Sequence, residues 1–335
     1  MANFSQTIIR WYHKNKRDLP WRHTRDPYKI WLSEIIMQQT RVQQGLPYYE
    51  TFAKKFPTVH HLAKAPEDVV MKTWQGLGYY SRARNLHHTA KFISKELKGK
   101  FPNEFEAIKD LKGIGEYTAS AIASFAFNKP HAVVDGNVFR MLSRYFGIHT
   151  PIDSTEGKKA FTEKANQLLD RKDPGTFNQA MMEFGALQCT PQNPDCGKCP
   201  LKKGCKALAK NQVAELPVKS QKTKVRNRYF DYFILRKQGK TLIKKRIEND
   251  IWKNLYDFPM IETRKASSGS AQGSFKHVLS HQVIYARFWE VSLSDPKLRR
   301  GVKVAGKNYI YVNDNQLNKY AFPRLIQRYF EEKWA

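Results

Sequence analysis

Apolar residues recur at three- and four-residue spacing through "DVVMKTWQGLG" (68–78), "RNLHHTAKFISKEL" (84–97) and "STEGKKAFTEKANQLLD" (154–170), and strand-like alternation is scarce over the same region. The pattern predicts nearly continuous helix from residue 5 to 216. After 216 the texture changes. "VKSQKTKVRNR" is polar and basic with few apolar anchors, which predicts a linker over 217–227. "YFDYFILRKQGKTLIKKR" then reads as two β-prone runs around a glycine-containing turn, a hairpin signal. "YARFWEVSL" and "NYIYV" add strands, and "PRLIQRYFEEKW" closes with a helix. The stretch 265–274, "KASSGSAQGS", is low in complexity and is expected to be a mobile loop. The fold class is therefore multi-domain, an all-α region followed by an α+β domain.

The 335 residues are 41% hydrophobic, with no apolar run near the roughly 20 residues a membrane span needs. The N-terminus lacks the basic start, apolar block and cleavage site of a secretory signal. A cytoplasmic protein with no membrane partner is expected. Formal charge sharpens this: 58 Lys and Arg against 30 Asp and Glu leave +28. Residues from 217 onward carry 25 basic and 10 acidic side chains, or +15, and residues 1–216 carry 33 and 20, or +13. A field of that sign on both parts makes nucleic acid the default partner.

Four features carry chemistry. In "IWLSEIIMQQT", Glu34 lies four residues after Ile30 and three before Met37, on the apolar stripe of a helix, where a carboxylate is costly unless used. Asp135 stands where the apolar run of "HAVVDGNVFRMLSRYF" meets a new helix; it can cap the amides ahead, and the helix start favours its charged form. Between them, "LKGIG" (Leu111, Lys112, Gly113, Ile114, Gly115) is a tight turn between helices whose glycines permit close approach to phosphate. All four cysteines, Cys189, Cys196, Cys199 and Cys205, fall in one compact loop. Such a loop suits a tetrahedral metal or an iron–sulfur cluster, and the presence of only one closely spaced pair tilts the reading to iron–sulfur. Lys198, Lys202 and Lys203 beside it are candidate phosphate contacts.

The succession "LSEIIMQQTRV", "GLGYYSRARNL", "LKGIGEYTASAIASFAF", "VVDGNVFRMLSR" and the cysteine loop resembles the helix–hairpin–helix, endonuclease III-like DNA glycosylases with an iron–sulfur cluster, and within these the MutY-type adenine glycosylases. The resemblance implies a helical catalytic region over 1–216, made of a six-helix barrel with the hairpin (28–135) and an iron–sulfur domain (1–27 with 136–216). It further implies a Nudix-like domain over 228–335 and a 4Fe–4S cluster on the four cysteines. The implied substrate is double-stranded DNA carrying adenine opposite 8-oxoguanine or guanine, handled by a monomer within bacterial base excision repair.

By the same resemblance Glu34 is the acid that protonates adenine at N7, and Asp135 stabilises the oxocarbenium-like sugar. Tyr117 and Asn137 orient the pair, and Arg17, Trp21 and Arg22 edge the adenine pocket. Gln39 and Tyr79 enter the duplex, Thr40 and Leu77 touch the base opposite, and Ser280 and His281 read the oxidised guanine. Tyr80 is expected in the core. Leu279 stands where the family signature has phenylalanine, and the Glu-rich metal box of Nudix hydrolases is missing, so recognition without pyrophosphatase activity is expected. Two rivals are a bifunctional glycosylase and lyase for damaged pyrimidines, and a non-catalytic iron–sulfur DNA-binding protein. Bifunctional relatives place lysine where this chain has Tyr117, and a phenol cannot form a Schiff base.

Overall fold

The computed structural model describes residues 2–220, 225–265, 271–291 and 308–334. Residues 221–224 of the expected linker, 266–270 of the expected mobile loop and 292–293 at the end of "YARFWEVSL" lie outside the described residues. The helices are α1 Ala2–Asn15, α2 Pro27–Met37, α3 Val42–Lys55, α4 Val59–Lys64, α5 Glu67–Trp74, α6 Ser81–Lys95, α7 Phe105–Lys109, α8 Glu116–Phe127, α9 Gly136–Phe146, α10 Thr155–Leu168, α11 Pro174–Leu187, a short α12 Lys206–Ala209, and a terminal helix Arg324–Lys333. None of the described helices is long and apolar enough to cross a membrane.

Contacts between Cα atoms divide the chain into two compact units, residues 2–41 with 89–220, and 42–88 with 225–334. In the first, side-chain caps set the helix starts. Asp26 accepts from the Tyr28 amide ahead of α2, Ser154 from Gly157 at α10, and Asp173 from Thr176 at α11. Asn128 and Gly147 close α8 and α9 in the left-handed region, at φ +55° and +64°. One core joins α1, α9, α10 and α11 through Phe4, Ile8, Met141, Leu142, Phe161, Phe177 and Phe184. α2 packs on α8, whose buried Ala119, Ala121 and Ala123 keep that face thin enough for a close approach.

The second unit holds two sheets built from β1 Arg226–Ile234, β2 Arg236–Lys237, β3 Lys240–Lys245, β4 Tyr256–Asp257, β5 Met260–Thr263, β6 Gly273–Val278, β7 Gln282–Glu290 and β8 Tyr309–Asn313. One sheet runs β5-β1-β7-β6, with β1 and β7 parallel; the other runs β2-β3-β4, with β8 also on β3. The expected hairpin is only partly formed. Its turn at Gln238 and Gly239, φ +51° and +69°, joins β3 to two-residue β2, while the long first run lies in the other sheet. The reason is burial: Phe230 to Ile234 are all buried, so β1 needs cover on both faces and takes a central position that a two-stranded hairpin cannot supply. β4, β5 and β6 carry no strong alternation and are legible only in the folded sheets.

Polar contacts account for the grouping of 42–88 with the sheets. Lys245 Nζ and Tyr256 Oη reach Asp68 at 2.6 and 3.0 Å, Lys72 Nζ donates to the Tyr320 carbonyl at 3.1 Å, and Arg84 donates to the Lys253 carbonyl at 2.8 Å. The sequence-based division instead put 42–88 inside the 28–135 barrel.

α11 and α9 approach closely at Gly185. A methyl group added at Gly185 of α11 would stand 2.6 Å from the Asn137 carbonyl oxygen and 2.7 Å from its Cβ, on α9. Gly185→Ala is expected to cost about 1–3 kcal/mol in denaturant unfolding, because α11 would have to move away from Asn137. Wild-type stability would show that α11 can retreat.

Candidate active site

Glu34 lies two-thirds of the way along α2 with Ile30, Trp31, Ile35 and Ile36 buried around it, and is itself 8% exposed. It lines a cavity of about 40 Å³ with Trp21, Arg22, Ile30, Ser33, Phe125, Gln179 and Met182. That is room for about one water. The Tyr117 hydroxyl, from the first turn of α8, donates to Glu34 Oε2 at 2.8 Å. Burial lifts the Glu34 pKa to about 7; the Tyr117 hydrogen bond pulls it down, the Asp135 charge pushes it up and Arg22 pulls it down. Tyr117 is driven well above the usual phenol range, first by burial and then by the two carboxylates, so it keeps the proton it donates.

Asp135 caps α9. Its Oδ1 accepts from the Asn137 and Val138 amides at 2.9 and 2.8 Å, and its Oδ2 from Asn137 Nδ2 at 2.7 Å. Burial pushes the Asp135 pKa upward as it does that of Glu34, against the expected preference of Asp135 for its charged form. What separates them is donors: three N–H groups oppose burial at Asp135, whereas one phenol does so at Glu34. Asn137 is held in turn by Arg140, whose Nη2 donates to its Oδ1 at 2.8 Å and to the Gly185 carbonyl at 2.7 Å.

Trp21 and Arg22 line the Glu34 cavity, and Arg17 does not. Arg17 Nη2 and Arg22 Nη2 both pair with Glu183 Oε2, at 2.6 and 2.8 Å. Glu183, Gln179 and Arg140 escaped the sequence reading. For Glu183 the signal existed: it is a carboxylate in the apolar stretch "AMMEFGAL", the same pattern that singled out Glu34.

In the hairpin, Leu111 and Ile114 are buried while Lys112, Gly113 and Gly115 face solvent. Gly113 has φ +83°, and the Lys112 carbonyl accepts from Thr89 Oγ1 at 2.8 Å. The turn thus anchors two apolar side chains and leaves its basic and glycine backbone outward. Gln39 is exposed at φ +55°, just past α2, and Thr40 Oγ1 turns back to the Gln38 carbonyl at 3.2 Å.

Leu77, Tyr79, Ser280 and His281 meet in the second unit, on a cavity of about 530 Å³ that Trp252, His277 and Leu279 also line. Tyr79, 46% exposed at φ +43°, is hydrogen-bonded through its hydroxyl to Ser280 Oγ. Tyr80 is buried, as expected, its hydroxyl accepting from the Gly76 amide at 3.2 Å.

The four cysteines line one cavity of about 30 Å³ with Arg144 and Lys202. Among the described residues, no three His, Cys, Asp or Glu side chains converge tightly enough to ligate a single ion. Arg144 ties the loop to α9, donating to the Thr190 and Pro191 carbonyls at 2.7 and 3.0 Å. Of the loop lysines, Lys202 donates to the Gly197 carbonyl at 2.8 Å and Lys198 pairs with Asp195 at 3.2 Å.

Residues 32–168 match the family of HhH-GPD superfamily base excision DNA repair proteins, and residues 231–332 match the NUDIX domain. An adenine DNA glycosylase of Buchnera aphidicola subsp. Baizongia pistaciae is 37% identical over 297 residues, 84% of this chain and 84% of that one. The adenine DNA glycosylase of Homo sapiens is 42% identical over 64% of this chain and 41% of its own. Among solved structures, a thermostable thymine-DNA glycosylase superposes with TM-score 0.58 at 34% identity, over 62% of this chain and 96% of that one. A trapped endonuclease III–DNA covalent intermediate superposes with TM-score 0.54 at 20% identity, over 62% and 94%, a likeness of fold alone. A shared helical core therefore does not by itself select the base, whereas the relatives that extend over most of the chain are adenine enzymes. The chain belongs to the adenine DNA glycosylases of the helix–hairpin–helix base excision repair superfamily.

Proposed function

We propose that this enzyme hydrolyses the N-glycosidic bond of adenine mispaired with 8-oxoguanine or guanine in duplex DNA, without cutting the strand, as a monomer in the bacterial cytoplasm. The observation that carries the reading is Glu34: a buried carboxyl with a pKa lifted to about 7, one phenol donor and a small cavity beside it. Such a group holds a proton at working pH and can deliver it.

Adenine leaves the stack and enters the Trp21 and Arg22 pocket. Glu34 gives its proton to N7, which turns the base into a neutral leaving group, and positive charge develops on the sugar. Asp135, whose charged form is favoured by three N–H donors, opposes that charge. The Glu34 carboxylate then takes a proton from the attacking water. Tyr117 holds Glu34 in place throughout, and with no amine at that position no Schiff base forms. The Lys112 to Gly115 turn supports the duplex backbone. Leu77, Tyr79, Ser280 and His281, gathered on one cavity, are suited to probing the base opposite, with Gln39 and Thr40 contributing at the duplex.

For the cysteine loop we propose a 4Fe–4S cluster held by Cys189, Cys196, Cys199 and Cys205. Four thiols lining one cavity support it. When bound, the cluster supplies a rigid scaffold for the loop, and no step of the hydrolysis passes through it.

Single-turnover assays on duplexes carrying 8-oxoguanine:A, G:A and thymine glycol should show adenine release from the first two only; adenine retained opposite 8-oxoguanine would sink the proposal. Glu34→Gln is expected to bind the mispair and lose about 10²–10⁴-fold in release. Since the protonated acid is the active form, release should fall as pH rises through about 7. Tyr117→Phe removes a donor that favours the carboxylate, so its alkaline limb should move to higher pH; a limb moving the other way would take Tyr117 out of this role. Replacing Ser280 and His281 with alanine should erode the preference for 8-oxoguanine over guanine more than it slows chemistry, and an unchanged preference would reassign both. Elemental analysis of the purified protein should find about four iron atoms per chain, whereas one zinc would replace the cluster reading.

A further inference from the structure

Glu183, on α11, is 1% exposed, and its two oxygens accept five hydrogen bonds. Three come from Arg17, through its amide at 2.8 Å, Nε at 2.9 Å and Nη2 at 2.6 Å. Two come from Arg22, through Nη1 at 3.0 Å and Nη2 at 2.8 Å. Burial alone would raise the Glu183 pKa, but the hydrogen bonds from Arg17 and Arg22 win and hold it at about 2, so it is an anion at any working pH.

The pair it neutralises matters because Arg22 lines the cavity of Glu34. An opposite charge within about 4–6 Å lowers a carboxyl pKa by about 1–3, and Glu34 has to keep a proton in the presence of that guanidinium. Arg22 already pulls on Glu34. With Arg17, Arg22 and Glu183 all charged the cluster sums to +1; without the carboxylate it sums to +2. We propose that Glu183 is a positioning residue that neutralises the Arg17 and Arg22 pair beside the adenine pocket and so preserves the acidic proton on Glu34. This rests on Glu34 being the acid. The other groups facing Glu34 are Tyr117 from α8 and Asp135 from the start of α9. Neither touches Glu183, so a change there isolates the effect of the guanidiniums.

The test is the pH dependence of single-turnover adenine release by the full-length protein on the 8-oxoguanine:A duplex. Glu183→Gln keeps the shape and acceptor oxygen but raises the cluster to +2. Its alkaline limb should move down by about one pH unit, a roughly tenfold loss on the alkaline side, with the acid-side rate largely kept. Arg17→Met, at a net charge of zero, should move the limb up. The double variant returns to +1 and should return toward the wild-type profile. A uniform loss at every pH, or limbs that fail to follow the charge order, overturns the inference. If Glu183→Gln does not fold, Arg17→Met alone decides it, since an unmoved limb there is equally fatal. A wild-type profile with no limb near 7 would instead defeat the assignment of Glu34, so the two failures are distinguishable.

Discussion

The hydrogen bond from a half-buried phenol to a buried carboxyl, Tyr117 to Glu34, is the constraint on which the helical unit depends. It joins α2 to α8 across the thin, alanine-rich face of α8, and it lies where water is scarce and charge is costly. Only a carboxyl that can stay neutral is tolerated there. The chemistry of acid-assisted base loss asks for the same property, so what is a liability for stability is the asset of the site.

The rest of the unit manages charge around that point. Asp135 tolerates its own burial because a helix start and a side-chain amide offer it three donors. Arg140 fixes that amide, and one helical turn later Arg144 holds the carbonyls of the cysteine loop, so α9 carries the second carboxylate at its start and the loop's anchor along its length. Order in the loop and aim of the carboxylate share one element. Glu183 does for the cations what these donors do for the anion.

In the second unit, Tyr79 and Ser280 are 201 residues apart in the chain and hydrogen-bonded in space. A helical segment and a sheet edge share the large cavity, and neither would form it alone. The antiparallel pairing of β6 with β7 places the Val278 to His281 turn at one end of the sheet.

Local pattern determined a good deal. The helix spacing, the change of texture after 216, the closing helix, Glu34 on an apolar stripe, Asp135 at a helix start and four clustered cysteines are all properties of neighbours along the chain, and a linear string records neighbours. Tertiary structure alone decided the rest. Whether Arg17 edges a pocket or clamps Glu183 depends on a partner 166 residues away, and whether β1 turns back on β3 or lies beside β7 depends on which arrangement covers both of its faces. The charge state of Asp135 likewise follows from the balance of burial against donors, which has no linear signature. Where a side chain's energy is set by residues i ± 4 the sequence suffices; where it is set by desolvation and distant charge, only the folded chain contains the answer.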